Sequence, residues 1–310
     1  MARDTEADYR AAVKYCTLAT QIDSNYALAW AKLSLSFTDL AIEYLDPAAA
    51  KVASDEGRRS ADKALEISPE LALGHIARGA VLREADLNWR GADAEMRYAL
   101  TVSPNDPEAQ FRLSMGLAAF GQLEPAIKLV RQALTTDPLD SDWYSHVALY
   151  LTGVDRLDEA EAAAHRAIEL EPGASEHRQV LTIIEVKRGN AQAALDATKD
   201  MAPGLWKNAA TALAAQLNGD RNAADAAVKQ LIKADASTSA YQIAQIYAVR
   251  GDTDKTFEWL DRAWSNRDLG FLYLLYDPFI RRYKDDPRFV VFCRKAGLPV
   301  PGEPEKDASI

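Results

Sequence analysis

Ala160-Glu161-Ala162-Ala163-Ala164-His165-Arg166-Ala167-Ile168-Glu169-Leu170-Glu171-Pro172 is the stretch on which the fold turns. It is rich in alanine, the strongest helix former, and it stops at a proline that cannot continue a helix. Its landmarks recur along the chain. Prolines stand at Pro69, Pro104, Pro138 and Pro172, spaced 35, 34 and 34 residues apart. Five residues before each is an alanine (Ala64, Ala99, Ala133, Ala167), followed by Leu65, Leu100, Leu134 or Ile168. A second ladder comprises Gly121, Asp155, Gly189, Gly219 and Gly251. Five residues after each comes a small or short residue: Ala126, Ala160, Ala194, Ala224, Thr256. Twelve residues before each of those comes another: Ser114, Ala148, Thr182, Ala212, Ala244.

Two helices joined by a short turn satisfy this spacing. The small residue late in the first helix faces the small residue early in the second, because only short side chains let the axes come close. Glycine at the turn supplies the left-handed conformation that closes the first helix. Leu113, Val147 and Leu181, one residue before the small position, are expected to fill the space between helices.

With Trp30, Leu33, Ser34 and Phe37 in a first helix and Ala160, Ala167 and Pro172 in a second, the chain resembles the tetratricopeptide repeat family over about 260 residues. The resemblance implies an all-α fold, a right-handed superhelical solenoid of helix-turn-helix hairpins with about seven repeats. The units read as a half repeat at 4–23, then 27–71, 72–106, 107–140, 141–174, 175–203, 205–236 and 237–267, closing helices at 268–298, and a disordered tail at 299–310. Unit 27–71 carries an insertion around 41–51 containing Asp46-Pro47. An array that opens on a second helix, with Val13, Cys16 and Leu18 in place of a polar cap, is expected to be cut from something longer. The closing stretch Asp277-Pro278-Phe279-Ile280-Arg281-Arg282-Tyr283, with Gly297-Leu298-Pro299, resembles the end of repeat regions attached to bacterial class III adenylate cyclases, winged-helix transcription regulators and some bacterial protein kinases. That resemblance implies a signalling context in which the repeats regulate an upstream domain.

Composition excludes several function classes. Of 310 residues, 56 are alanine and 48% are hydrophobic. The formal charge of −10 lacks the basic footprint of a nucleic-acid binder. No apolar run reaches the ~18 residues of a membrane span, and the acidic opening residues are unlike a secretory signal, so the cytoplasm is the expected compartment. Cys16 and Cys293 lie too far apart in sequence for a metal or redox motif. His75, His146, His165 and His177 form no metal set and are expected to be surface or groove-lining imidazoles. No phosphate loop or nucleophile elbow occurs. Neither an enzyme activity nor a cofactor or metal is expected. The basic cluster Arg281, Arg282, Lys284, Arg288, Arg294 and Lys295 reads as a solvated helix face.

What remains is the concave side of the first helices, at the second, fifth, ninth and twelfth positions of each unit. The candidate peptide-binding groove comprises Phe111, Met115, Leu149, Ile183, Trp206, Tyr241 and Gln245, with Glu108, Asp142 and Glu176 as an acidic row. Repeats that grip chaperone tails place Lys, Asn and Arg at fixed positions; here these hold Ala31, Leu35, Ala77, Glu108 and Arg112, and only the arginine fits. The expected partner is a protein or peptide, apolar or basic. The alternative is a homodimer scaffold joined through the terminal helices.

Overall fold

The computed structural model describes residues 5–235 and 238–303. Within them lie sixteen α-helices, two 3-10 turns and no strand. The chain divides into two units, 1–116 and 117–310.

In the first unit α1 (Glu6–Ile22) packs on α2 (Ala27–Glu43), which forms a hairpin with α3 (Pro47–Ile67). A second hairpin follows, α4 (Ala72–Glu84) with α5 (Trp89–Val102), and α2 packs on α4. The residues around 41–51 lengthen α2 and α3, to 17 and 21 residues, and leave only a short turn between them. Asp46 caps α3, its carboxylate accepting from the N–H groups of Ala48 (2.9 Å) and Ala49 (3.1 Å). Helix α6 (Pro107–Ala119) contributes residues to both units.

In the second unit α7 (Leu123–Thr136) precedes four hairpins: α8 (Ser141–Gly153) with α9 (Leu157–Leu170), α10 (Ser175–Arg188) with α11 (Ala191–Ala197), α12 (Leu205–Leu217) with α13 (Arg221–Asp235), and α14 (Ala240–Arg250) with α15 (Thr253–Ser265). The first helices form a continuous layer, α8 on α10, α10 on α12, α12 on α14. Two 3-10 turns, Leu269–Tyr273 and Ile280–Tyr283, and α16 (Pro287–Lys295) close the unit. Residues 300–303 form a turn, the Glu303 N–H donating to the Val300 carbonyl (3.1 Å) and its carboxylate accepting from Arg294 at 2.5 Å; residues 304–310 lie outside the described residues.

The small-residue pairs are fully buried. Ala148 and Ala160, Thr182 and Ala194, Ala212 and Ala224, and Ala244 and Thr256 have no exposed surface, each pair in helices that pack together. Gly121, Gly189, Gly219 and Gly251 all take positive φ, between 77° and 83°. Asp155, the one non-glycine in that ladder, sits at φ 60°, a conformation a short polar side chain tolerates. One recurring device was not foreseen. At four turns between units, a side chain six residues on reaches back to a backbone carbonyl: Trp30 to Ser24, His75 to Pro69, Gln110 to Pro104 and Lys207 to Met201, at 2.8–3.0 Å. Each satisfies a carbonyl that the helix ladder leaves over.

Candidate interaction surface

Three of the candidate residues lie on α6 within the first unit. Glu108 pairs with Arg112, one turn on. Arg112 also reaches Glu84 (3.3 Å) and Asp39 (3.5 Å), so one guanidinium ties α2, α4 and α6. Burial disfavours its charge, but the three carboxylates more than compensate and hold Arg112 protonated. Burial likewise pushes Asp39 up to about 7; Arg112 pulls it down, while Glu84 and Glu108 add to the rise. Met115 accepts a hydrogen bond on sulfur from Arg83 (3.2 Å), and Phe111 is half-buried. The lone clamp-like arginine is therefore spent on neighbouring carboxylates.

In the second unit the candidates separate into two groups. Asp142, Glu176 and Trp206 occupy the second position of α8, α10 and α12, and all three are exposed, Trp206 by 37%. They form a row along the N-terminal ends of successive first helices. Leu149 is half-buried. By contrast Ile183 is buried, and Tyr241 and Gln245 are only 1% and 6% exposed. Both face the protein's own closing segment. Asp277 accepts from the Tyr241 hydroxyl (3.0 Å) and the Gln245 amide (2.6 Å) on one oxygen, and from the N–H groups of Phe279 and Ile280 (both 2.8 Å) on the other. Burial raises the Asp277 pKa, and these four hydrogen bonds oppose the rise. Tyr241 is itself held neutral by burial and by the adjacent Asp277 charge.

The segment extends from α14 to α8. The Tyr276 ring meets Tyr150 edge-on, centroids 5.5 Å apart. Arg281 donates to the carbonyl of Gly153, the last residue of α8 (3.2 Å). Arg282 donates to the carbonyl of Ala248 in the last turn of α14 (3.2 Å). Carbonyls at a helix C-terminus carry partial negative charge, and that of Ala248 accepts from the Gly251 N–H as well (3.1 Å). The basic cluster Arg281, Arg282, Lys284, Arg288, Arg294 and Lys295 is exposed throughout, in keeping with its reading as a solvated face; on that face Arg281 and Arg282 also reach helix-end carbonyls, Arg288 pairs with Asp254 and Asp286, and Lys295 with Asp261. Close approach also dictates glycine at two places. A Cβ on Gly270 would lie 2.6 Å from the Tyr241 ring, and one on Gly153 would lie 3.0 Å from Tyr276 Cβ. Asp268, which accepts from the N–H groups of Tyr241 and Gly270, is pushed up to about 6 by burial against those hydrogen bonds.

The histidine expectation needs correction at two of the four positions. His75 and His177 are buried. His75 lies between Glu95 (2.6 Å) and the Pro69 carbonyl, and His177 Nδ1 meets Ser145 Oγ at 2.8 Å. The first pair holds α4 to α5 within one hairpin, and the second holds α10 to α8 between successive hairpins. Among the described residues no three His, Cys, Asp or Glu side chains are grouped to hold a metal. Burial pushes the Cys293 thiol up to about 12, far from a reactive thiolate. No described helix is long and apolar enough to cross a membrane.

Asp277, Tyr276, Gly153 and Arg281 were missed as contact residues. The only sequence signals were the non-periodic Asp277-Pro278 pair and a helical glycine, Gly153, outside the turn ladder.

This architecture is the tetratricopeptide-repeat fold. No protein-family model matches the sequence, and no curated protein does so at a significant level. Solved structures do match. A tetratricopeptide repeat protein from Parabacteroides merdae is 14% identical, with a TM-score of 0.53 over 78% of this chain and 98% of its own. PilW, a type IV pilus biogenesis factor, is 19% identical, with a TM-score of 0.54 over 65% of this chain and 93% of its own. PilF of Pseudomonas aeruginosa is 18% identical, with a TM-score of 0.50 over 64% of this chain and 90% of its own.

Proposed function

We propose that this chain is a non-catalytic protein-interaction module that holds a peptide or helix against its first helices. The observation that carries the reading is the exposed row Asp142, Glu176, Trp206 at equivalent positions of α8, α10 and α12. Two carboxylates beside an exposed indole suit a partner with basic residues next to an apolar one. Leu149 adds apolar surface in this unit, and Glu108, Phe111 and Met115 are the corresponding candidates on α6. A regulatory or scaffolding place in a bacterial signalling protein is part of this reading and rests on the resemblance of the closing stretch alone.

The test is selection of peptides from a displayed random library. Selected sequences should be basic and apolar, and Trp206→Ala should weaken them about tenfold, the ~1.4 kcal/mol of a modest aromatic anchor. Asp142→Lys with Glu176→Lys should weaken them further and reverse the salt dependence, so that added salt now strengthens binding. Unchanged affinity in folded variants would refute the surface.

A second reading is favoured by α1. Tyr15, Leu18 and Ile22 are exposed at helical spacing on one face, the last by 79%. An apolar face of this kind suits pairing with a second copy. Sedimentation over a range of concentrations decides it, since a monomer throughout removes the homodimer.

A further inference from the structure

The closing segment occupies the inner side of the second unit in the manner of a bound peptide. Between Tyr273 and Tyr283 it is a pair of tight turns rather than a helix with its own ladder. Leu274, Tyr276, Asp277 and Ile280 are nonetheless buried. Its anchors fall into three kinds. Tyr276 stacks edge-on against Tyr150. Asp277 enters a polar notch made by the Tyr241 hydroxyl and the Gln245 amide. Arg281 and Arg282 take the carbonyl ends of α8 and α14. Asp277 also folds the segment on itself by accepting from two N–H groups downstream of Pro278. The recognition surface and its occupant are therefore both present in the structure.

We infer that the α8–α14 face is a recognition site for an aromatic–Asp–Pro–aromatic turn followed by basic residues, and that a partner polypeptide presenting this turn binds there by displacing residues 273–283. This goes beyond the acidic row and does not depend on Trp206. The segment is open to competition on one side. Its far end borders an open cleft lined by Leu123, Pro125, Val154, Leu275 and Arg281, from which a competitor can enter. The tether gives the built-in ligand an effective concentration on the order of millimolar, so a partner must outcompete that or meet a loosened segment.

The probe is a fluorescent synthetic peptide spanning residues 271–284. Full-length protein carrying Asp277→Ala loses the notch contact in cis while keeping Tyr241 and Gln245. It should bind the probe at least tenfold more tightly than the unmodified chain, by fluorescence anisotropy. A probe with the same Asp277→Ala change should bind at least tenfold more weakly, and so should the native probe on Asp277→Ala protein that also carries Gln245→Ala. A second full-length variant, Arg281→Ala with Arg282→Ala, releases the segment without opening a buried cavity and should also take up the probe. If folded variants do not bind it, or bind both probes equally, the inference fails. If both variants unfold, the segment is inseparable core and the inference fails equally. A dimer of the unmodified chain that the probe dissolves would make a second copy the natural occupant and overturn assignment to a separate partner. None of these results bears on Trp206, so the two readings fail separately.

Discussion

Replacing Gly153 by alanine tests whether the closing segment rests on α8. Gly153 ends α8 and is buried. An added Cβ would lie 2.8 Å from Leu123 Cδ1, 3.0 Å from Tyr276 Cβ and 3.1 Å from the Tyr276 carbonyl oxygen. The leucine tip can rotate away, but the Tyr276 backbone moves only with the segment. In a free helix, Gly→Ala gains up to about 1 kcal/mol. Overpacking a closed contact costs about 1–3 kcal/mol, and the Arg281 bond to the Gly153 carbonyl is disturbed in addition. The balance is a loss of about 1–2 kcal/mol, concentrated on residues 275–283. Native-state hydrogen exchange reads this directly through the Phe279 and Ile280 amides, which donate to Asp277. Their protection should fall about tenfold or more, while amides within α12 and α13 keep theirs. Gly173→Ala, where an added Cβ meets no atom within 4 Å, is the control. A Gly153→Ala protein that melts higher, with Phe279 and Ile280 fully protected, would refute the docking of this segment on α8.

Three further outcomes follow from the geometry. Gly189→Ala should cost about 1–2 kcal/mol in urea unfolding, although nothing lies within 4 Å of the new Cβ, because φ is 83° there and left-handed backbone penalises any side chain; no loss would mean the turn relaxes freely. Ala160→Leu, at a position with no exposed surface in the α8–α9 hairpin, should cost about 1–3 kcal/mol, whereas the same change at exposed Ala162 should be nearly neutral. Asp39 carries a pKa of about 7, above its ordinary 3.8, so the folded chain holds this proton more tightly than the unfolded one. Its contribution to stability is complete below about pH 4 and is lost as pH rises through 7. Asp39→Asn should flatten that decline between about pH 4 and 7, and an unchanged slope in chemical denaturation would discredit the assignment.

The hairpins were legible because their determinants are local and periodic. Short side chains at Ala148 and Ala160, a left-handed turn at Gly189 and a proline at Pro172 each act within one hairpin, so spacing alone exposes them. The exposed positions Asp142, Glu176 and Trp206 were legible for the same reason, since the second residue of a first helix recurs in each unit. The fate of Tyr241 and Gln245 was not. Their pattern places them on the inner face of α14, but their burial depends on Asp277, 36 and 32 residues away and outside the repeat. The contact between Arg281 and Gly153 spans 128 residues and leaves no periodic trace. His75 was misjudged because the carbonyl and carboxylate that satisfy it come from Pro69 and Glu95, and only folding brings them together.

The order of charges along the closing segment explains why it docks in one direction. Asp277 precedes Arg281 and Arg282 by four and five residues. The carboxylate meets only neutral donors, a phenol, an amide and two backbone N–H groups. The guanidinium groups meet carbonyls at helix C-termini, where the helix dipole favours cations. Reversing the segment would bring Asp277 to those same carbonyls, with like partial charges opposed and no donor supplied. It would also leave the Tyr241 hydroxyl and Gln245 amide facing cations that accept nothing. Burial of an unpaired carboxylate is costly, so the face tolerates Asp277 only while all four donors are in place. That requirement makes the site selective: an apolar turn of similar shape would strand two buried donors, and a glutamate would place its oxygens one methylene too far to hold the turn after Pro278.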